Sequence, residues 1–175
     1  EKNRKLQRRR LMDNYHLAQL NIACMLAPIE SPQLSDFVAN LDRINALAEA
    51  ADGFVWRLQD EAGSATSFRP FGDQMLVNLT LWNNIESLHN YVYRSGHVEI
   101  MKRRKEWVEM MREFYMVLWW VPAGTIPTVD EAKQKLAQLR QQGPSSDAFT
   151  FKQPFVAPCA RESSLDGFDG SCPAI

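Results

Sequence analysis

The chain has 175 residues, 45% of them apolar and 23% charged, with a formal net charge of −1. That length holds one domain with a real core and falls short of two. The balance excludes wholesale disorder, and a charge so near zero excludes a global field drawing the protein to nucleic acid or an anionic membrane. No apolar run approaches the roughly 18 to 20 residues of a membrane span, and no apolar signal core follows the N-terminal charges. A soluble, cytoplasmic protein with no nucleic-acid and no membrane partner is expected. Cys24, Cys159 and Cys172 show neither CxxC nor Cys/His ligand spacing, so no metal site is expected.

Residues 1–14 carry Lys2, Arg4, Lys5, Arg8, Arg9 and Arg10 and are read as a basic, disordered arm. From Tyr15 to Ala23 a mixed set (Leu17, Gln19, Asn21) alternates with an apolar one (Ala18, Leu20, Ile22), the period of a half-buried strand. Ser31 followed by Pro32 resembles a helix start. Leu34, Phe37, Val38, Leu41, Ile44, Leu47 and Ala48 follow at helical spacing up to Gly53. Strands are predicted over Phe54–Gln59 and Met75–Trp82, antiparallel neighbours joined by a long loop of Gly, Ser, Asp and Pro. Asn83 with Glu86 resembles a capping box for a short helix, which Ser95-Gly96 interrupts. A further helix is predicted from His97 to about Met111, and a last strand from Tyr115 to Val121.

The order is strand, helix, strand, strand, helix pair, strand. It predicts an α+β, ferredoxin-like (βαββαβ) antiparallel sheet with helices on one face, occupying residues 15–122. Residues 123–157 are read as an appendage. A helix capped by Thr128 and Glu131 and closed by Gly143-Pro144 comes first. An extended strap follows, carrying Phe149, Phe151 and Phe155. Residues 158–175 are read as a disordered tail.

There is no phosphate loop, Gly-rich dinucleotide turn, HExxH or GxSxG in the chain, which removes the familiar cofactor and hydrolase classes. Polar groups stand where an apolar strand face is expected: Gln19 and Asn21 on the first strand, Arg57 on the second, Asn78, Thr80 and Trp82 on the third. Buried amides and guanidinium groups cost a few kcal/mol unless they find partners. Their convergence therefore points to a cavity, a ligand or a polar interface, or else to mutual pairing, with Arg57 on Asp60 or Glu61.

His97, at a helix start on the stripe of Met101, Arg104 and Val108, is the candidate general base. Tyr91 and Tyr93, two steps apart, cannot both face inward; Tyr91 is the candidate cavity wall. Trp119 and Trp120 face opposite sides of the sheet, so one is expected to meet a partner subunit.

The segments HLAQLNIA, FVANLDRINALAE, GFVWRLQD, VNLTLWNNIESLHNYVYRSGHVEIM and VLWWVPAG together resemble a bacterial domain-of-unknown-function family. That family is related to the antibiotic-biosynthesis-monooxygenase-like dimeric α/β barrels. The resemblance spans about Tyr15 to Phe155. It implies a homodimer whose two sheets pack face to face, with a small aromatic or porphyrin ligand between each sheet and its own helices. Asn21 resembles the asparagine of cofactor-free oxygenases in that superfamily. The tryptophan and proximal histidine of its haem-degrading branch correspond here to Tyr91 and Met101, a departure from the haem pattern.

The function expected is therefore an enzyme acting on an aromatic or polycyclic small molecule, most simply a cofactor-independent, monooxygenase-like oxidation with no cofactor. His97, Asn21 and Arg57 are its candidate catalytic residues, and Gln19, Asn78, Trp82, Tyr91 and Trp120 its ligand-binding ones. An isomerase, cyclase or dehydratase in the same pocket, a non-catalytic haem or hydrophobic-ligand binder, and a purely structural dimer are the alternatives.

Overall fold

In the computed structural model, which describes residues 14–158, four strands form one antiparallel sheet in the order β2-β3-β1-β4. They are β1 Tyr15–Cys24, β2 Phe54–Arg57, β3 Met75–Trp82 and β4 Met116–Pro122. Helix α1 (Ser35–Glu49) joins β1 to β2. Helices α2 (Ile85–Arg94) and α3 (His97–Arg103) join β3 to β4, and α4 (Val129–Gln142) follows the sheet. This is the expected βαββαβ order with one helix added. The basic-arm and tail assignments lie, but for Asn14 and Pro158, outside the described residues, as do Cys159 and Cys172.

Alternation in β1 and β3 does what period two requires. Ala18, Leu20 and Ile22 stand opposite Leu81, Leu79 and Val77, and with Val117 and Trp119 of β4 they form one buried apolar face. Leu17, Gln19 and Asn21 stand opposite Trp82, Thr80 and Asn78 on the other face, beneath α1, α2 and α3.

Several boundaries shift for local reasons. Ser31 makes no side-chain cap; Pro32–Leu34 form a 3-10 turn that leads into α1. Asn84 rather than Asn83 caps α2, its Oδ1 accepting from the Ser87 amide at 2.8 Å, while the Asn83 backbone N–H donates to the Gly53 carbonyl at 2.7 Å. Gly53 itself sits at φ 79, with the Ser87 side chain standing where a Cβ would lie; only glycine fits that turn. The helix expected to reach Met111 stops at Arg103. After a 3-10 turn at Arg104–Glu106 the backbone crosses to the end of β1: Leu26 donates to Trp107 at 2.9 Å and Glu109 donates to Cys24 at 2.8 Å. Pairing with a strand overrides helical spacing there.

Helix α4 is no outlying appendage. Thr128 Oγ1 accepts from the Glu131 amide at 3.1 Å and Gly143 closes the other end at φ 76, as the capping residues predicted. The stripe Ala132, Leu136, Leu139 then packs on the sheet face opposite α1 and completes the main core. α4 thus lies on the face that a face-to-face sheet dimer would use.

The strap also binds its own chain: Phe149 and Leu118 exchange both backbone hydrogen bonds at 2.8 Å, covering part of the open edge of β4. Both tryptophans of β4 have hydrogen-bond partners within the chain. Trp119 Nε1 donates to Glu131 of α4 at 2.9 Å, and Trp120 Nε1 donates to the Phe155 carbonyl of the strap at 2.9 Å.

Candidate functional site

A cavity of about 200 Å³ opens between α1, α3 and the end of the sheet where β1 outruns β4. Phe37, Leu41 and Ile44 reach it from α1 at steps of four and three, which places them on one helix face. Ile100 and Met101 of α3, Leu76 of β3 and Trp107 close the remaining apolar wall. The sharp exit of the chain after α3 makes the cavity: Trp107, pinned by Leu26, and Phe37 hold their rings 5.6 Å apart.

Asn40, Asn45, Ser64, Thr66, Glu109 and Tyr115 also line the cavity, and four further polar groups face its apolar wall. Asn21 and Asn78 are cross-strand partners on the floor, and neither side-chain amide is hydrogen-bonded among the described residues. His97 enters at the first turn of α3. Its Nδ1 lies 3.4 Å from the Val92 carbonyl, so the neutral ring carries its proton on Nδ1 and leaves Nε2 an acceptor. Burial pushes its pKa below the ordinary value, because a charged imidazolium would lose its hydration. Arg104 donates from Nη1 to the Tyr115 hydroxyl at 3.3 Å, and its guanidinium lies 5.7 Å from the centre of that ring. None of the ion pairs among the described residues includes it.

The sequence-derived candidates divide into two groups. His97, Asn21 and Asn78 line the cavity. Tyr91 stands behind His97, its ring 4.9 Å from the imidazole and stacked on Trp82 at 5.1 Å. Its hydroxyl donates to the Ile44 carbonyl at 3.3 Å, and burial pushes the phenol well above its ordinary pKa. It props the histidine rather than facing a ligand.

Gln19 and Trp82 are bound into a closed chain away from the cavity. Trp82 Nε1 donates to Thr80 Oγ1 at 2.9 Å, which donates to Gln19 Oε1 at 2.7 Å. Arg57 is likewise outside: its Nε donates to Glu49 Oε1 at 2.7 Å, which spends the charge on the end of α1 rather than on Asp60 or Glu61. Trp120 lies under the strap. Five of the eight candidates, Tyr91 included, thus serve packing or pairing, since a shared sheet face does not place residues at the same end of it.

Arg104 and Tyr115 are among the cavity residues that the sequence left unassigned. Arg104 follows His97 by seven, two helical turns on the same stripe, which was the available signal. Tyr115 had none, because its position depends on the loop 107–114. Among the described residues no group of three or more His, Cys, Asp and Glu side chains is placed to hold a metal, and no helix is long and apolar enough to cross a membrane.

A family model described as a domain of unknown function (DUF3291) matches residues 16–165. Comparison with curated proteins finds no match. Among solved structures, the NE2512 protein of unknown function from Nitrosomonas europaea is 14% identical, with a TM-score of 0.43 over 66% of this chain and 98% of that one. PA3566 from Pseudomonas aeruginosa is 10% identical, with a TM-score of 0.41 over 66% and 98% of the two chains. SnoaB, a cofactor-independent oxygenase from Streptomyces nogalater, is 13% identical, with a TM-score of 0.37 over 66% and 97%. At such identities and TM-scores these neighbours carry no argument about chemistry.

Proposed function

The chain belongs to the DUF3291 family of unknown function, and from its cavity we propose an enzyme that deprotonates a phenolic or enolisable aromatic molecule of one or two rings. The observation that supports this is a neutral imidazole and a guanidinium free of any carboxylate partner among the described residues, together on one largely apolar lining. A half-buried His97 with a lowered pKa is a weak base. It takes a proton efficiently only where the anion left behind is stabilised, and Arg104, with the Asn21 amide, supplies that stabilisation.

Scale argues for a small substrate. An apolar cavity of about 150 Å³ accepts benzene, whereas pockets for drug-sized ligands run from about 300 to 1,000 Å³. A porphyrin, with four pyrrole rings, exceeds the space available, which disfavours the haem-binder alternative.

Oxygenation is the reaction class we carry forward. An activated ring methylene, once deprotonated, passes electrons to O2, forms a hydroperoxide and loses water to leave a carbonyl. One oxygen atom enters the product and the other leaves as water, so the substrate itself supplies the four electrons. Reprotonation of the same anion at another carbon would make the protein an isomerase.

The test is binding of a panel of one- and two-ring phenols by saturation-transfer NMR, followed by turnover in an oxygen electrode. The wild type is expected to bind and turn over a member of the panel. His97→Gln should still bind it while losing at least about a hundredfold in rate, and Arg104→Gln should weaken binding of the anion. Absence of binding, or binding indifferent to both substitutions, would refute the proposal. Turnover without oxygen uptake would select the isomerase.

A further inference from the structure

Behind the cavity, a second cleft of about 540 Å³ lies between the end of α2, the segment before β4, the end of α4 and the strap. Met111 and Tyr115 form part of both linings, so one thin wall separates the two spaces. The cleft has a different chemistry from the cavity. Tyr93, Phe114 and Phe151 offer three rings, of which Tyr93 is 52% and Phe114 41% exposed. Tyr93 and Phe151 stand edge to face at 5.9 Å, and His89 packs against both, at 4.7 and 5.8 Å.

Around these rings stand Arg112, Arg140 and Lys152, against the single carboxylate of Glu113. Arg112 and Lys152 are exposed and take part in none of the ion pairs among the described residues. Arg140 is the informative one. Its Nε donates to the Phe114 carbonyl at 2.8 Å and its Nη1 lies 3.3 Å from Glu113 Oε2, so the plane of the guanidinium is held by the protein. Its Nη2 is buried and has no hydrogen-bond partner among the described residues. A guanidinium held at two nitrogens keeps its plane and its charge fixed at the cleft wall.

From these features we infer that the cleft is a second binding site, for a planar aromatic carboxylate. The ring lies among Tyr93, Phe114 and Phe151, which offer π faces and edges for offset or edge-to-face contact. The carboxylate pairs with the exposed part of the Arg140 guanidinium and is drawn in by Arg112 and Lys152 at the rim. A neutral aromatic would leave three cations facing one carboxylate. A small inorganic anion would leave two exposed rings uncovered. Both halves of the ligand are therefore required, and this inference stands apart from the reaction proposed for the inner cavity.

The probe is 1-naphthoate, titrated into 15N-labelled full-length protein, with 1-naphthol as the ring-matched compound lacking a carboxylate. Amide shifts are expected at residues 111–116 and 150–152, with naphthol at least about tenfold weaker there. Arg112→Glu combined with Lys152→Glu changes only exposed side chains and should weaken naphthoate at least about tenfold while leaving the spectrum folded. Arg140→Lys, which keeps the charge and loses the fork, should also weaken it. The inference is overturned if naphthoate shifts none of those amides at millimolar concentration, if naphthol binds the cleft equally well, or if the double variant binds as the wild type does. Shifts confined to His97, Ile100 and Arg104 would likewise overturn it, placing the probe in the inner cavity instead.

Discussion

Replacing Leu136 by Ala tests whether α4 belongs to the core or merely rests near it. Leu136 is 1% exposed and packs on the sheet face built by Ala18, Leu20, Leu79 and Leu81. Truncation removes three carbons. At about 0.8 kcal/mol each the transfer term alone is roughly 2 kcal/mol, and the cavity left behind brings the total to about 3 kcal/mol, inside the usual range for such changes. With a urea dependence of roughly 2 kcal/mol per molar, the unfolding midpoint should fall by roughly 1 to 2 M. Gln134, exposed on the same helix, provides the comparison: Gln134→Ala should stay within about 0.5 kcal/mol. The assay is urea unfolding followed by tryptophan fluorescence, because Trp119 lies directly beneath α4. A Leu136→Ala midpoint indistinguishable from wild type would refute the packing of α4 on this face. It would leave the face open to a second copy, as a face-to-face sheet dimer requires, and sedimentation of the same samples would then show the dimer.

Two further outcomes follow from the polar groups of the inner face. Thr80→Val removes the hydroxyl that joins Trp82 to Gln19, leaving a buried indole N–H and a buried amide oxygen without a partner. A loss of about 2 to 4 kcal/mol in urea unfolding is expected, and a loss below about 1 kcal/mol would mean that water takes the place of the hydroxyl. His97 links stability to pH. Its folded-state pKa lies below the ordinary value of 6.5, so the unfolded chain binds the proton more readily. Its contribution to stability is complete above about pH 6.5 and lost as pH falls through the folded pKa. His97→Gln should therefore lose less stability than wild type between about pH 7.5 and pH 5; equal losses would contradict the burial of the ring.

Much of the fold was legible because its signals are local. The alternation in Tyr15–Cys24, the helical stripe from Phe37 to Ile44 and the capping pair Thr128 and Glu131 each specify an element with neighbours a few residues away. The site was legible only in part. His97 was singled out by its place after Ser95-Gly96, and Asn21 and Asn78 by polarity on an apolar strand. Arg57 carried the same polar signal and has a different fate, since Glu49 reaches it from the end of α1. Gln19, Thr80 and Trp82 satisfy one another for the same reason: polarity marks a need for partners without saying who they are.

The sequence by itself determined the order of the elements, the two faces of the central strands and the ends of α4, because periodicity and caps are written within single turns and strands. Only the tertiary structure decided that α4 covers the outer sheet face, that the chain leaves α3 early to pair with β1, and that Arg104 and Tyr115 therefore meet His97 around a cavity. Those outcomes depend on contacts between residues far apart in the chain. Packing chose among several apolar faces that local pattern had left equivalent.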